Sequence, residues 1–162
     1  MHYSKLFFLL SIVSNPSNED YLAVTGLKDC HVLTFTSSGS VAEHLVLHPQ
    51  LDANNFIIKA VWMPGSQTEL ALVTADFVKV YDLGKDVLSP QYFLLVPSGK
   101  VRDCTLAFMA DGFRYVLIMS SAGHIHFQVS LTLKNLSILV QTCQVLLKLV
   151  FTCHFYLDSC QN

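Results

Sequence analysis

Two histidines, His124 and His126, come closest to a metal-binding pattern in this sequence. They lie two positions apart in an apolar run of strand type, and alternate residues of a strand point to the same face. Two imidazoles on one face could begin a zinc site, but a structural zinc ion takes about four ligands. We therefore expect both rings to be packed against the protein or solvated.

The cysteines match neither a common zinc spacing nor a disulfide framework. There are five of them, at Cys30, Cys104, Cys143, Cys153 and Cys160. The group formed by Cys143, Cys153, His154 and Cys160 has gaps of ten, one and six residues, which fit no common zinc motif. An odd number of cysteines without a CxxC pair favours reduced thiols inside a cell, so we expect a cytoplasmic protein.

Other residues of catalytic type also have structural interpretations. Ser66 follows a glycine in PGSQT, but the GxSxG nucleophile elbow is absent from the sequence. Several aspartates fall near predicted strand ends or turns, where the side chain can accept a bond from its own backbone. They are Asp20, Asp29, Asp76, Asp103 and Asp111. For Trp62, the single tryptophan, core packing is favoured over a peptide-binding role. We assign no catalytic, cofactor-binding or metal-binding residue.

Three segments of the sequence share one pattern. Each consists of two β-rich runs that are joined by a small polar turn. They are YLAVTGLKDCHVLTF at 21–35, ELALVTADFVKVYDL at 69–83 and YVLIMSSAGHIHFQV at 115–129. Equivalent positions are 48 residues apart between Val32 and Val80, and 47 apart between Val78 and Ile125. Repeats of about 40 to 50 residues built from short strands are typical of β-propeller blades.

The runs around these segments predict an all-β fold, a partial WD-repeat-like β-propeller over residues 1–129. The predicted strands are 6–13, 21–25, 30–35 and 41–47, then 57–63, 69–74, 77–82 and 92–96, then 101–108, 115–120 and 124–129. These make about two and a half blades of four antiparallel strands, near 6–47, 57–96 and 101–129, and the last blade lacks its fourth strand. The pair Tyr81-Asp82 resembles the Trp-Asp pair of WD repeats.

Two apolar end segments have more than one interpretation. Residues 6–13 resemble the apolar region of a signal peptide, but no cleavage site follows and a strand is due there. Residues 130–162 form an apolar tail with helical spacing over 136–157. This tail is interpreted as a helix that packs on an apolar partner, as non-native sequence or as a membrane span. Its polar residues make the span costly.

Composition limits the class of partner. The chain has 162 residues, of which 52% are hydrophobic and 14% are charged, with 10 basic and 12 acidic side chains. A nucleic-acid surface needs clustered Lys and Arg, so no nucleic-acid partner is expected. Protein partners are expected instead. A small membrane-anchored or secreted protein that uses both apolar ends is the alternative function.

Longer motifs between residues 14 and 128 are specific to one family. They are SSGSV, LHPQL, FIIKAVWMPGSQTELALVTADFVKVYDL and IMSSAG. The chain resembles the β-propeller segment of the giant UBR-box ubiquitin ligases, the calossin, Pushover and BIG proteins. The resemblance implies a parent that recognises N-degrons and transfers ubiquitin, with zinc-binding modules that match no residues here. It implies that this chain is a ligase fragment and a non-catalytic scaffold that contacts proteins, including the rest of the ligase. Whether the chain is itself an enzyme stays open.

Overall fold

The computed structural model describes residues 8–108, 114–130 and 140–141, and these residues form strands, turns and loops without a helix. The strands in the described residues are β1 (Ser11–Asn15), β2 (Asn18–Thr25), β3 (Cys30–Phe35), β4 (Val41–Leu47), β5 (Ile57–Trp62), β6 (Glu69–Thr74), β7 (Phe77–Asp82), β8 (Tyr92–Leu95), β9 (Val101–Phe108), β10 (Arg114–Ser120), β11 (Ile125–Ser130) and β12 (Val140–Gln141). Most begin and end where the alternation of apolar runs and turn residues predicts.

The strands form three four-stranded antiparallel sheets, each in simple meander order. Sheet 1 contains β1 to β4, sheet 2 contains β5 to β8, and sheet 3 contains β9 to β12. The first strand of each sheet lies innermost, because β1 contacts β5 and β5 contacts β9. The last strand of each sheet is therefore at its outer edge.

Three strand predictions need correction. The first strand covers Ser11–Asn15 rather than 6–13, and the second begins at Asn18 rather than at residue 21. The polar end of β1 remains a strand because Asn15 is buried and its Nδ2 donates to the carbonyl oxygen of Gln67 at 2.9 Å. The third sheet does have a fourth strand, since β12 pairs with β11 at Phe127 and Gln128.

The tail prediction is only partly covered by the described residues. Val140 and Gln141 form a strand, so the helix prediction for 136–157 is wrong at these two positions. Pairing with the edge of β11 satisfies backbone N–H and C=O groups of these residues. The spacing of apolar residues in the sequence does not reveal this pairing. The rest of the tail and residues 1–7 lie outside the described residues. Within residues 8–108, 114–130 and 140–141, no helix is long and apolar enough to cross a membrane.

Sheet 2 is buried on both faces, which explains the unbroken apolar run of β6. Leu70 and Leu72 pack toward sheet 1, whereas Ala71 and Val73 pack toward sheet 3. Successive side chains of a strand point to opposite faces, so the middle of a strand between two sheets must be apolar at consecutive positions. All four of these residues are fully buried.

Trp62 anchors the contact between sheets 1 and 2. Its indole Nε1 donates to the carbonyl oxygen of Val13 at 2.9 Å, and its ring packs edge-on against Tyr21 at a centroid distance of 5.9 Å. The side chain is buried. Its role is therefore core packing, as the sequence indicated.

One backbone contact occurs twice between neighbouring sheets. The first residue of β5, Ile57, donates its N–H to the carbonyl oxygen of Leu27, in the β2–β3 turn, at 2.8 Å. The first residue of β9, Val101, donates in the same way to Ala75 of the β6–β7 turn, also at 2.8 Å. Each inner strand is thus tied at its start to a turn of the preceding sheet.

We predict that Val80→Asp destabilises the fold far more than Lys79→Asp. Val80 is fully buried against sheet 3, and an unpaired carboxylate there costs several kcal/mol, on the order of 4. Lys79 is partly exposed and donates to the carbonyl oxygen of Pro49 at 2.6 Å, so its loss should cost about 1 kcal/mol. Urea unfolding followed by Trp62 fluorescence measures both changes, and equal midpoints would contradict the assignment.

We also predict that Gly99→Ala is more destabilising than Gly39→Ala. Both glycines have a positive φ, 77° and 79°, so each alanine should cost about 1 kcal/mol for the left-handed backbone. A Cβ at Gly99 would lie 2.9 Å from the backbone nitrogen of Ala122, whereas nothing lies within 4 Å at Gly39. We expect about 2 kcal/mol of additional loss at Gly99 in the same urea assay. Matching losses would show that the close approach is absent.

Candidate functional site

The histidine pair of the third repeat contains one buried ring and one partly exposed ring. His124 lies just before β11, and its Nδ1 is 3.2 Å from the Oγ of Ser98. His126 is 7% exposed, and neither of its ring nitrogens has a hydrogen-bond partner. The two rings meet edge to face at 6.0 Å. Burial, and next the nearby His124, lower the pKa of His126 below its usual value.

The two rings do not form part of a larger ligand set. Across the described ranges, no three His, Cys, Asp or Glu side chains come together in a way that could hold a metal ion. His126 of β11 lies directly opposite Ile118 of β10, and Ile118 packs toward sheet 2. Directly opposed residues of an antiparallel pair share a face, so His126 also faces sheet 2.

The Tyr81-Asp82 pair is structural. Tyr81 is buried between sheets 1 and 2, and this burial raises its pKa to about 12. Asp82 Oδ1 accepts bonds from the Oγ1 of Thr68 at 2.7 Å and from the N–H of Gly84 at 3.0 Å. Its Oδ2 lies 2.9 Å from the Nζ of Lys85. Partial burial raises the pKa of Asp82, but the bonds from Thr68, Lys85 and Gly84 outweigh it and hold that pKa below its usual value.

The aspartates named in the sequence take two different roles. Asp103, the third residue of β9, accepts the backbone N–H of Cys104 at 2.8 Å and also pairs with Lys59. Asp29 and Asp76 do not bond the backbone and instead pair with His48 and Lys100. The prediction of a backbone bond is therefore wrong for these two aspartates. Asp111 lies outside the described residues.

Ser66 and the two described cysteines also have structural environments. The Oγ of Ser66 accepts the N–H of Glu69 at 3.1 Å, which stabilises the turn before β6. Cys30 and Cys104 are free and buried, and burial raises their thiol pKa values to about 11 and about 12. Both thiols are thus protonated near neutral pH. Cys143, Cys153, His154 and Cys160 lie outside the described residues.

A buried polar network that the sequence analysis did not identify holds the β6–β7 turn. Asn55 Oδ1 accepts the N–H groups of Phe56 at 2.9 Å and Ala75 at 3.0 Å. The Oγ1 of Thr74 accepts from Phe77 N at 3.1 Å and donates to Phe77 O at 2.8 Å. Asn55 and Thr74 are both buried. The network fixes the loop before β5 to the turn of its own sheet.

An open pocket lies beside this network, between the starts of β5 and β9. Its volume is about 360 Å³. It is lined by Asn54, Phe56, Ile58, Ala75, Lys100, Val101 and Arg102. Phe56, the residue directly before β5, is 45% exposed. The pocket therefore combines an apolar floor with an amide and two cationic side chains.

Two ion pairs define the charge around the pocket. Lys100 pairs with Asp76, and Lys59 of β5 pairs with Asp103 of β9 at 2.6 Å. The hydrogen bond from Lys59, the largest cause, lowers the pKa of Asp103. Arg102 is exposed and has no ion pair with another described residue. One positive charge is left at the rim.

The pocket could have been found in the sequence only by aligning the residues that precede the inner strands. Phe56 and Lys100 come directly before β5 and β9, and Ile58 and Arg102 are the second residues of those strands. At β5 these two positions hold apolar residues, and at β9 they hold cationic residues, so the lining of the pocket is mixed. Neither position looks unusual within its own repeat.

We predict that His126 makes the protein less stable below pH 6.5. Its pKa is lowered in the folded state, so the unfolded chain binds the proton more tightly. Uncharged His126 makes its full contribution to the free energy of unfolding above about pH 6.5. That contribution is lost as the pH falls through the lower pKa of the folded state, and the unfolding free energy falls by at most about 1.4 kcal/mol per pH unit. His126→Leu should flatten the fall in unfolding free energy between pH 6.5 and 5.

The matched control is Val32→Ala, because Val32 is buried in sheet 1 and carries no titratable group. This variant should keep the wild-type slope over the same pH range. A wild-type slope in His126→Leu would contradict burial of the ring in its uncharged form.

Comparison with curated proteins relates the chain to three large proteins. It is 54% identical over 123 residues to Protein purity of essence of Drosophila pseudoobscura pseudoobscura, a match over 74% of this chain. It is 39% identical over 142 residues to a "Probable E3 ubiquitin-protein ligase" of Dictyostelium discoideum, over 85% of the chain. It is 38% identical over 118 residues to Auxin transport protein BIG of Oryza sativa subsp. japonica, over 72% of the chain.

In each case the match covers only 2% of the relative's length. No protein-family model matches the chain.

Among solved structures, the chain is similar to the WD40 domain of SCAP from fission yeast. The TM-score is 0.54 at 15% identity, and the match covers 83% of this chain and 32% of the other. At this identity the similarity concerns the fold alone, which is all-β and WD40-like. The sequence matches by themselves place this chain, as a short segment, in the giant BIG/calossin family.

Proposed function

We propose that this chain is a segment of an E3 ubiquitin-protein ligase of the UBR type, in the N-degron pathway, and serves there as a non-catalytic scaffold for protein contacts. The observation that carries the proposal is the match to the Dictyostelium protein, whose name describes an E3 ligase, over 85% of the chain. The ligase chemistry and any zinc would belong to other modules of the parent.

The scaffold role is supported by how the polar side chains are used. Asp82, Ser66 and Asn55 hold strand ends and turns, and Trp62 joins two sheets. These residues would be obvious candidates for chemistry in another setting. Here each makes a contact that stabilises the arrangement of the strands.

Exposed apolar surface supports a role in protein contacts. Ile12 is 56% exposed, on the face of sheet 1 opposite to Val13, which packs toward sheet 2. Phe8, Leu9 and Leu10 are exposed next to it, and Met119 is exposed on sheet 3. Apolar surface of this kind marks a contact with another protein surface. Propellers close with about four to eight blades, so further sheets of the parent are the partner proposed for these faces.

The cytoplasm is the compartment that we propose for this scaffold. Cys30 and Cys104 are buried as free thiols, and their sheets pack without covalent links between them. Reduced thiols are usual in the cytoplasm.

We predict that the full chain does not transfer ubiquitin by itself. In a reconstitution with activating enzyme, a panel of conjugating enzymes and ubiquitin, no chain formation should depend on it. Chain formation that Cys143→Ser or Cys153→Ser abolishes would overturn the non-catalytic role.

A graft tests the positive side of the same prediction. The matched segment of the Dictyostelium protein is deleted and then replaced by this chain, which is 39% identical to it. Deletion should reduce ubiquitination of substrates with destabilising N-termini, and the graft should restore it. A Val80→Asp graft, with its disrupted core, should not. Full activity after deletion alone would rule out the scaffold role.

A further inference from the structure

We propose that the pocket between sheets 2 and 3 binds an extended segment of a partner protein that carries an apolar side chain two positions from an aspartate or glutamate. The inference deepens the proposed function, since it rests on a scaffold that contacts proteins, and names the chemistry of one contact.

The floor of the pocket accounts for the apolar side chain. Phe56 is 45% exposed and lines the pocket together with Ile58, Ala75 and Val101. Binding pockets typically measure about 300 to 1,000 Å³. With about 360 Å³, this pocket is at the small end of that range and has room for one large side chain. Covering the phenylalanine ring removes apolar surface from water, which favours binding.

Charge complementarity accounts for the acidic side chain. Lys100 is paired with Asp76, so the free cation at the rim is Arg102. Its planar guanidinium matches the two oxygens of a carboxylate and can bind them together. The single surplus charge fits one acidic residue.

The walls of the pocket are already fixed. The N–H of Ala75 donates to the carbonyl oxygen of Phe56 at 3.3 Å, and the N–H of Val101 donates to the carbonyl oxygen of Ala75 at 2.8 Å. Asn55 holds Phe56 and Ala75 from behind. A site that is ordered before binding loses little entropy on association. The exposed amide of Asn54 can meet the backbone of an extended segment.

The geometry of packed sheets sets the spacing of the two side chains. Phe56 and Ile58 belong to sheet 2, whereas Val101 and Arg102 belong to sheet 3. Facing sheets lie about 10 Å apart, and an extended chain advances about 3.3 Å per residue. Side chains two positions apart lie on the same side of an extended segment and about 7 Å from each other, which fits within this separation.

The test is selection from a phage library of random heptapeptides on the immobilised full chain. The wild-type protein should enrich peptides with an apolar residue two positions from Asp or Glu. Arg102→Glu should reverse the preference, so that Lys or Arg replaces the acidic residue. Phe56→Gln should remove the apolar preference. Glu43→Lys, an equally large charge change on the exposed part of β4, should enrich the same peptides as wild type.

Fluorescence anisotropy with one enriched peptide, labelled with fluorescein, then measures affinity. Arg102→Glu should weaken binding roughly tenfold or more, as expected for loss of a charge-assisted bond and gain of a like charge. The same peptide with its acidic residue changed to lysine should bind Arg102→Glu better than wild type. A misfolded variant would bind neither peptide, so this exchange separates lost folding from lost recognition.

Enrichment of no peptide, or of peptides whose binding is unchanged in Arg102→Glu, overturns the inference. If the graft restores ubiquitination while the selection is empty, the pocket inference fails and the scaffold proposal stands. If the charge exchange works while the graft is inactive, the pocket binds peptides and the ligase role fails.

Discussion

Leu70, Ala71, Leu72 and Val73 of β6 are fully buried, with alternate residues facing sheets 1 and 3. This two-sided burial is the constraint on which the rest of the structure depends. A strand that separates two cores cannot carry a charge at any position without desolvating it. Most buried polar side chains lie at strand ends and turns, charged ones within strands, such as Lys59 and Lys79, are partly exposed, and the pocket at Phe56 and Arg102 lies at a rim between sheets.

Buried polar residues at these ends are held by specific bonds. Asn15, Asn55 and Thr74 each bond to a backbone group of a turn or loop. Such bonds compensate the loss of water and favour one arrangement of the turns over others. His126 differs, because both its ring nitrogens lack partners and its ring faces the neighbouring sheet. Burial of this ring in its uncharged form is therefore not offset by a hydrogen bond within the described residues.

Much of the fold could be predicted because local pattern and tertiary packing agree. The strands β3, β4, β6 and β7 have the predicted bounds, since each is an apolar run between turn residues. The shift of β1 could not be predicted, because it depends on a bond between Asn15 and Gln67, 52 residues later in the chain. The strand at Val140 was missed because its apolar neighbours also fit a helix, and only pairing with β11 decides between the two.

The candidate site was less predictable than the fold. Tyr81-Asp82 and Trp62 were visible as motifs, and their burial followed from the repeat. The pocket was not visible, because its residues come from the loop before β5, the β6–β7 turn and the start of β9. Each is ordinary in its local sequence, and only the packing of two sheets brings an aromatic ring and an unpaired guanidinium together.

The backbone contact between neighbouring sheets is kept although the repeats differ in length. The two donors, Ile57 and Val101, are 44 residues apart, whereas their acceptors, Leu27 and Ala75, are 48 apart. The geometry of the contact is the same although the chain between contacts is not. Loops outside the contact can therefore gain or lose residues without changing how the sheets stack. The backbone contact repeats along this chain, whereas the number of residues between contacts does not. A search of the sequence for a fixed period would therefore understate its internal symmetry.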